Sequence, residues 1–104
     1  DLPLVGHPAI APDGSYIIVD LVYRKEGQLI SDFLISFKNP DGSWRNLQSM
    51  KKALQITTQV YAAPYLSADG KYLFFEEYIP QADQSDILWV STRIIDTLKP
   101  DDLE

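Results

Sequence analysis

Apolar residues in this chain fall into short runs separated by turn-forming clusters, a pattern that predicts many strands and few helices. Pro8 to Ala11 reads as a short strand with proline at its start, where a missing N–H is tolerated. Pro12-Asp13-Gly14 follows, and Ala68-Asp69-Gly70 repeats the chemistry: Asp bonds its own backbone and Gly takes the positive φ of a tight turn. Tyr16 to Val22 and Tyr72 to Tyr78 are β-branched and aromatic, hence second strands. Their first halves are apolar at successive positions, which predicts cover on both faces. Arg24 to Ser31 and Pro80 to Ser85 read as polar loops, and Phe33 to Lys38 and Ile87 to Ser91 as third strands. Asn39-Pro40-Asp41-Gly42 is a further turn, leading into a short fourth strand from Ser43 to Leu47. In the linking stretch Gln48 to Val60, Met50 to Leu54 can carry a helical turn. After Ser91, apolar residues at 94, 95 and 98 are spaced as on a helix that ends at Lys99-Pro100.

These elements repeat. His7 to Val19 aligns with Ala63 to Phe75 at an offset of 56, with Pro, Asp, Gly and Tyr identical. Ser31-Asp32-Phe33-Leu34-Ile35 aligns with Ser85-Asp86-Ile87-Leu88-Trp89 at an offset of 54, so the loop between the two segments is two residues shorter in the second copy. A unit of four antiparallel strands joined by tight turns and repeated along the chain is the pattern of a propeller blade. The expectation is an all-β fold of two four-stranded antiparallel blades. Blade one spans about 7–48 and a linker about 49–61. Blade two covers about 62–91, incomplete because it lacks a fourth strand, and a short C-terminal helix covers about 92–99. All belong to one partial propeller domain, residues 1–104.

The P-x-x-[SA]-x-D-G-x-Y core resembles the TolB-type, WD-like propeller repeat of bacterial exported proteins. Asp32 to Trp44 looks like the strand, turn and strand that close such a blade. Ser85 to Ile95 is similar to the C-terminal end of propeller proteins common in the Bacteroidetes. The resemblance covers roughly residues 7 to 100 and implies the last two blades of a larger propeller. The sequence departs from the usual repeat at Ala68, where Pro is commoner, and in the charged stretch Arg24 to Leu29. The resemblance implies a non-catalytic binding or scaffolding module in a periplasmic or exported setting, holding a protein partner or envelope ligand. It also admits an accessory propeller fragment of an enzyme, either a prolyl-oligopeptidase-type peptidase or a pectate-fragment lyase. Two blades leave edges and apolar faces without cover. A piece cut from a longer chain, a distorted sandwich and a homo-oligomer are the three expected resolutions; a trimer would complete six blades.

Composition narrows the partners. The net charge is −6, and the nine basic residues are scattered apart from Lys51-Lys52, which argues against nucleic acid. With no cysteine there is no disulfide, thiolate metal site or Cys nucleophile. No apolar run approaches the ~18 residues of a membrane span, so membrane insertion is not expected.

The residues that carry chemistry elsewhere read here as structural. His7 is the only histidine, so a two-His metal site cannot form. Asp13 and Asp69 recur at the turns, and Asp32 and Asp86 recur at the entrance of strand three, where backbone hydrogen bonding is expected. Asp20, Glu76 and Glu77 are expected at solvated strand ends rather than as a glycosidase pair. No phosphate loop, zinc spacing or nucleophile elbow is present. No catalytic residue, cofactor or metal is therefore expected, and the chain does not read as an enzyme. Most of the aromatics, including Trp44 and Trp89, are expected inside the interblade core. His7, Tyr61 and Tyr65, beside the entrance of an inner strand, are the candidates for a ligand or partner surface.

Overall fold

The computed structural model describes residues 4–6, 8–55, 60–79 and 81–103. It is mostly β, with two antiparallel sheets of four and three strands and two short helices. In the first sheet β3 (Tyr16–Lys25) and β4 (Gln28–Phe37) form the long central hairpin. Two short pieces, β1 (Leu4–Val5) and β2 (Ala9–Ile10), lie in succession along the free edge of β3 and act as one broken strand. The brief β5 (Gln48–Ser49) pairs with β4 on the other side. The second sheet has the order β6 (Val60–Leu66), β7 (Tyr72–Ile79), β8 (Gln84–Ser91), and β8 is its outermost strand.

The repeat holds in the strand register. Leu4↔Val22 and Ala9↔Ile18 in the first sheet become Val60↔Tyr78 and Tyr65↔Phe74 in the second. Ile18↔Ile35 becomes Phe74↔Trp89. The gap between β1 and β2 corresponds to a bulge in β6 between Ala62 and Tyr65, where Ala63 takes a φ of 55°. The turns match as well. Gly14 N–H donates to Ala11 and Gly70 N–H to Ser67, while Asp13 and Asp69 each accept the N–H two residues on.

Several boundaries differ from expectation; β8 begins at Gln84, inside the stretch expected as a loop up to Ser85, and β6 begins at Val60, inside the expected linker. The stretch Arg24 to Ser31 is not a loop: β3 and β4 run on through it to a two-residue turn at Glu26-Gly27. Both turn residues have positive φ, the geometry that matches strand twist. The second hairpin ends its ladder at Ile79↔Gln84, two pairs sooner. The outer strand expected over Ser43 to Leu47 reduces to a bridge between Lys38 and Trp44, and true pairing resumes at β5. The Ser36 hydroxyl donates to the Arg45 carbonyl, while the Arg45 N–H donates to the Phe37 carbonyl at 2.9 Å. The helix expected over 92–99 shortens to α2 (Arg93–Asp96) followed by turns, and α1 (Lys51–Leu54) is a single turn in the linker.

One core lies between the sheets. Ile18, Phe33, Ile35 and Phe37 project from one face of the first sheet; Leu73 and Phe75, with partly buried Leu66, Leu88 and Val90, project from the facing side of the second. Met50 and Leu54 from the linker and Ile95 from α2 complete it. At its centre Phe33 meets Tyr61 edge-on at 4.7 Å and Phe75 at 5.6 Å, a geometry that adds to area burial. Polar bonds cross the same seam. Ser31 Oγ accepts the Tyr61 N–H at 2.7 Å, and Asp20 Oδ2 accepts the Ala63 N–H at 3.2 Å. An exposed ion pair, Arg45–Asp102 at 3.1 Å, ties the C-terminal turns back to the first sheet and contributes little.

Phe33 is fully buried at the centre of the aromatic cluster. Phe33→Ala is expected to cost about 3–5 kcal/mol, a large share of a small domain's stability of about 5–15 kcal/mol, measured as a lowered urea midpoint. At the turns, hydrogen bonds from Ser15 to Asp13 and from Ser67 and Lys71 to Asp69 hold both carboxyls below their usual value near 3.8. A carboxylate lowered on folding contributes stability above its unfolded value and loses it as pH falls through the lowered folded value. The double variant Asp13→Asn, Asp69→Asn should therefore melt below wild type at neutral pH, with the gap closing under acid conditions below about pH 4. Thermal melts across pH check this.

Candidate functional site

A β-sheet strand alternates its side chains between two faces, so burying Leu73 and Phe75 commits Tyr72, Phe74 and Glu76 to the opposite side of the second sheet. On β8, half-buried Leu88 and Val90 face the core, and Ile87 and Trp89 point the other way at 69% and 62% exposed. On β6 the bulge inserts one extra residue, which switches parity along the strand. Tyr61 before it faces the core, and Tyr65 after it lies on the outer face at 66% exposed. The rings are organised in pairs: Tyr72 packs edge-on against Trp89 at 5.6 Å, and Tyr65 lies 6.4 Å from Phe74. Between Ala63, Tyr65, Phe74, Glu76 and Ile87 lies a shallow, apolar depression of about 410 Å³. An open aromatic sheet face of this kind suits a macromolecular surface better than a small molecule, because rigid Trp and Tyr rings carry much of the energy of protein interfaces.

A second cavity of about 340 Å³ opens along the seam between the sheets. Asp13, Asp96, Lys38, Arg93 and Lys99 are among its lining residues, so its charges largely balance. Among the described residues no group of three or more His, Asp or Glu side chains converges in a way that could hold a metal.

The sequence-predicted candidates separate. Tyr65 lies on the exposed aromatic face. Tyr61 does not: it is 1% exposed, its ring fixed between Phe33 and Phe75 and its hydroxyl 3.4 Å from Asp32 Oδ1. The bulge that separates the two tyrosines leaves no mark in hydropathy. His7 lies outside the described residues.

Other expectations also change. Asp20 is not a solvated strand end but buried, with Oδ1 unpartnered among the described residues. Gly6 makes the room for it, since a Cβ there would collide with that oxygen. Asp32 binds side chains rather than backbone, taking the Ser49 hydroxyl at 2.9 Å. Trp89 and Tyr72, expected in the core, are exposed, and so is Trp44, whose ring lies 5.7 Å from the Lys38 ammonium. The repeat itself carried the missed signal. Ile87 and Trp89 are the counterparts of buried Phe33 and Ile35, on a unit whose corresponding face meets no further sheet among the described residues.

Burial and the neighbouring Asp32 carboxylate raise the Tyr61 hydroxyl far above its usual value of 10. A hydroxyl whose pKa rises on folding contributes stability below its unfolded value and loses it as pH climbs beyond that value. Wild type should therefore lose stability steeply above about pH 10. Tyr61→Phe should flatten that alkaline loss while costing only about 1 kcal/mol near neutrality, as read by urea unfolding at several pH values. No protein-family model, curated protein or solved structure matches this chain.

Proposed function

We propose that the chain is a non-catalytic binding module of the TolB-like propeller kind, which takes a protein partner on the outer face of its second sheet. The observation that carries this reading is the aromatic face formed by Tyr65, Tyr72, Phe74, Ile87 and Trp89, which is apolar, open and built on strands whose other side is locked into the core. A rigid face of large rings loses little side-chain entropy when it docks, which suits it to a protein surface. The register repeat and the stacking of one sheet on the next support the propeller part of the reading. An exported or envelope setting follows from the sequence resemblance.

A photo-cross-linking residue in place of Trp89 tests the proposal in bacterial cells producing the chain. It should yield protein adducts, whereas the same residue in place of Lys25, at the exposed hairpin end, should not. Equal adduct formation at both positions would overturn the assignment of the face. Turnover of peptide or pectic substrates by the purified chain would overturn the non-catalytic reading.

A further inference from the structure

The two sheets pack front to back, and that arrangement leaves a matching pair of faces unused. The first sheet contributes to the core the face carrying Ala9, Ile18, Phe33 and Ile35. At the repeat offsets its counterparts in the second sheet are Tyr65, Phe74, Ile87 and Trp89, the open aromatic face. Conversely, the second sheet contributes Leu66, Leu73, Phe75 and Leu88. Their counterparts in the first sheet are Ile10, Ile17, Val19 and Leu34, which share its outer face. Ile10 is 59% exposed and the other three half-buried.

The polar bonds across the seam obey the same correspondence. Ser31 and Asp20 accept backbone N–H groups from β6 within the chain. Their counterparts, Ser85 and Glu76, stand on the second sheet toward its open side, Ser85 exposed and Glu76 half-buried. Each chain thus carries one front face and one back face of the kind already seen packed together in its own core.

We propose that the open face of the second sheet docks the outer face of the first sheet of a second copy of this chain, repeating between molecules the front-to-back packing found within one. This deepens the binding-module reading by naming its partner, and it rests on that reading for the face involved. Such a contact is heterologous: the two molecules use different surfaces, and each retains one face for a further copy.

Sedimentation equilibrium of the purified chain from about 1 µM to about 1 mM tests the proposal. The wild-type mass should rise with concentration above the 11.8 kDa monomer. Trp89→Glu, on the front, and Ile10→Glu, on the back, should each weaken association at least tenfold. Both positions are exposed, so thermal melts should stay near wild type; Ile87→Lys serves as a second front variant if Trp89→Glu fails to fold. The deciding sample mixes the two variants. Each retains the face the other has lost, so an equimolar mixture should form a two-chain complex and nothing larger. A wild-type chain that stays monomeric throughout would sink the proposal. Full association of Ile10→Glu alone, the mark of front-to-front pairing, would sink it as well, and so would a mixture that stays monomeric. If the chain is monomeric yet cross-links through position 89 to other proteins, the self-docking inference fails while the binding-module reading stands.

Discussion

The edge-on contact of Phe33 with Tyr61 and Phe75 is the point at which two sheets, each with one apolar face, become one body. An isolated hairpin is marginal in water, and further strands with a covered apolar face are what stabilise it. Here each sheet covers the other, and Met50, Leu54 and Ile95 complete the core from outside the sheets. Because the rings are buried within a few ångströms of one another, the spacing between the sheets is set by aromatic geometry. The hydrogen bonds from Tyr61 to Ser31 and from Ala63 to Asp20 then fix the sliding register, which apolar contact alone would leave loose.

Stacking a front on a back, rather than like on like, has a further effect. A symmetric sandwich closes on itself because both inner faces are consumed. A front-to-back pair leaves uncovered the repeat counterparts of both faces it buries, and in the second sheet those counterparts are the exposed aromatic residues. Among the described residues no fourth strand pairs with β8, so its outer edge is open.

Much of this is legible in the chain. The Asp13-Gly14 and Asp69-Gly70 turns, the offset of 56 and the three-strand second unit appear in the structure where the sequence puts them. What hides the rest is local. Arg24 and Lys25 read as loop because charge usually marks solvent, yet a two-residue turn lets charged strand ends extend into water. Tyr61 and Tyr65 have the same spacing parity and would share a face, except that the bulge at Ala62–Tyr65 turns one inward. Asp20 follows an apolar run and reads as its solvated end, whereas the strand continues for five more residues and buries it at the seam. A tight hairpin turn, a bulge and a strand that runs on past its apolar stretch decide these, not composition.

The last strand also bears on how the protein behaves when it is not fully folded. Ile87-Leu88-Trp89-Val90 combines high β-propensity with no charge, and among the described residues β8 is an edge strand whose outer row of backbone groups pairs with no other strand. Asp86 immediately before it and Arg93 shortly after bracket the segment with charge, the arrangement by which chains discourage strands from stacking into fibrils. Replacing either charge would leave the native fold almost untouched and act instead on colloidal behaviour during synthesis and refolding, in the interval before the aromatic core brings the two sheets together.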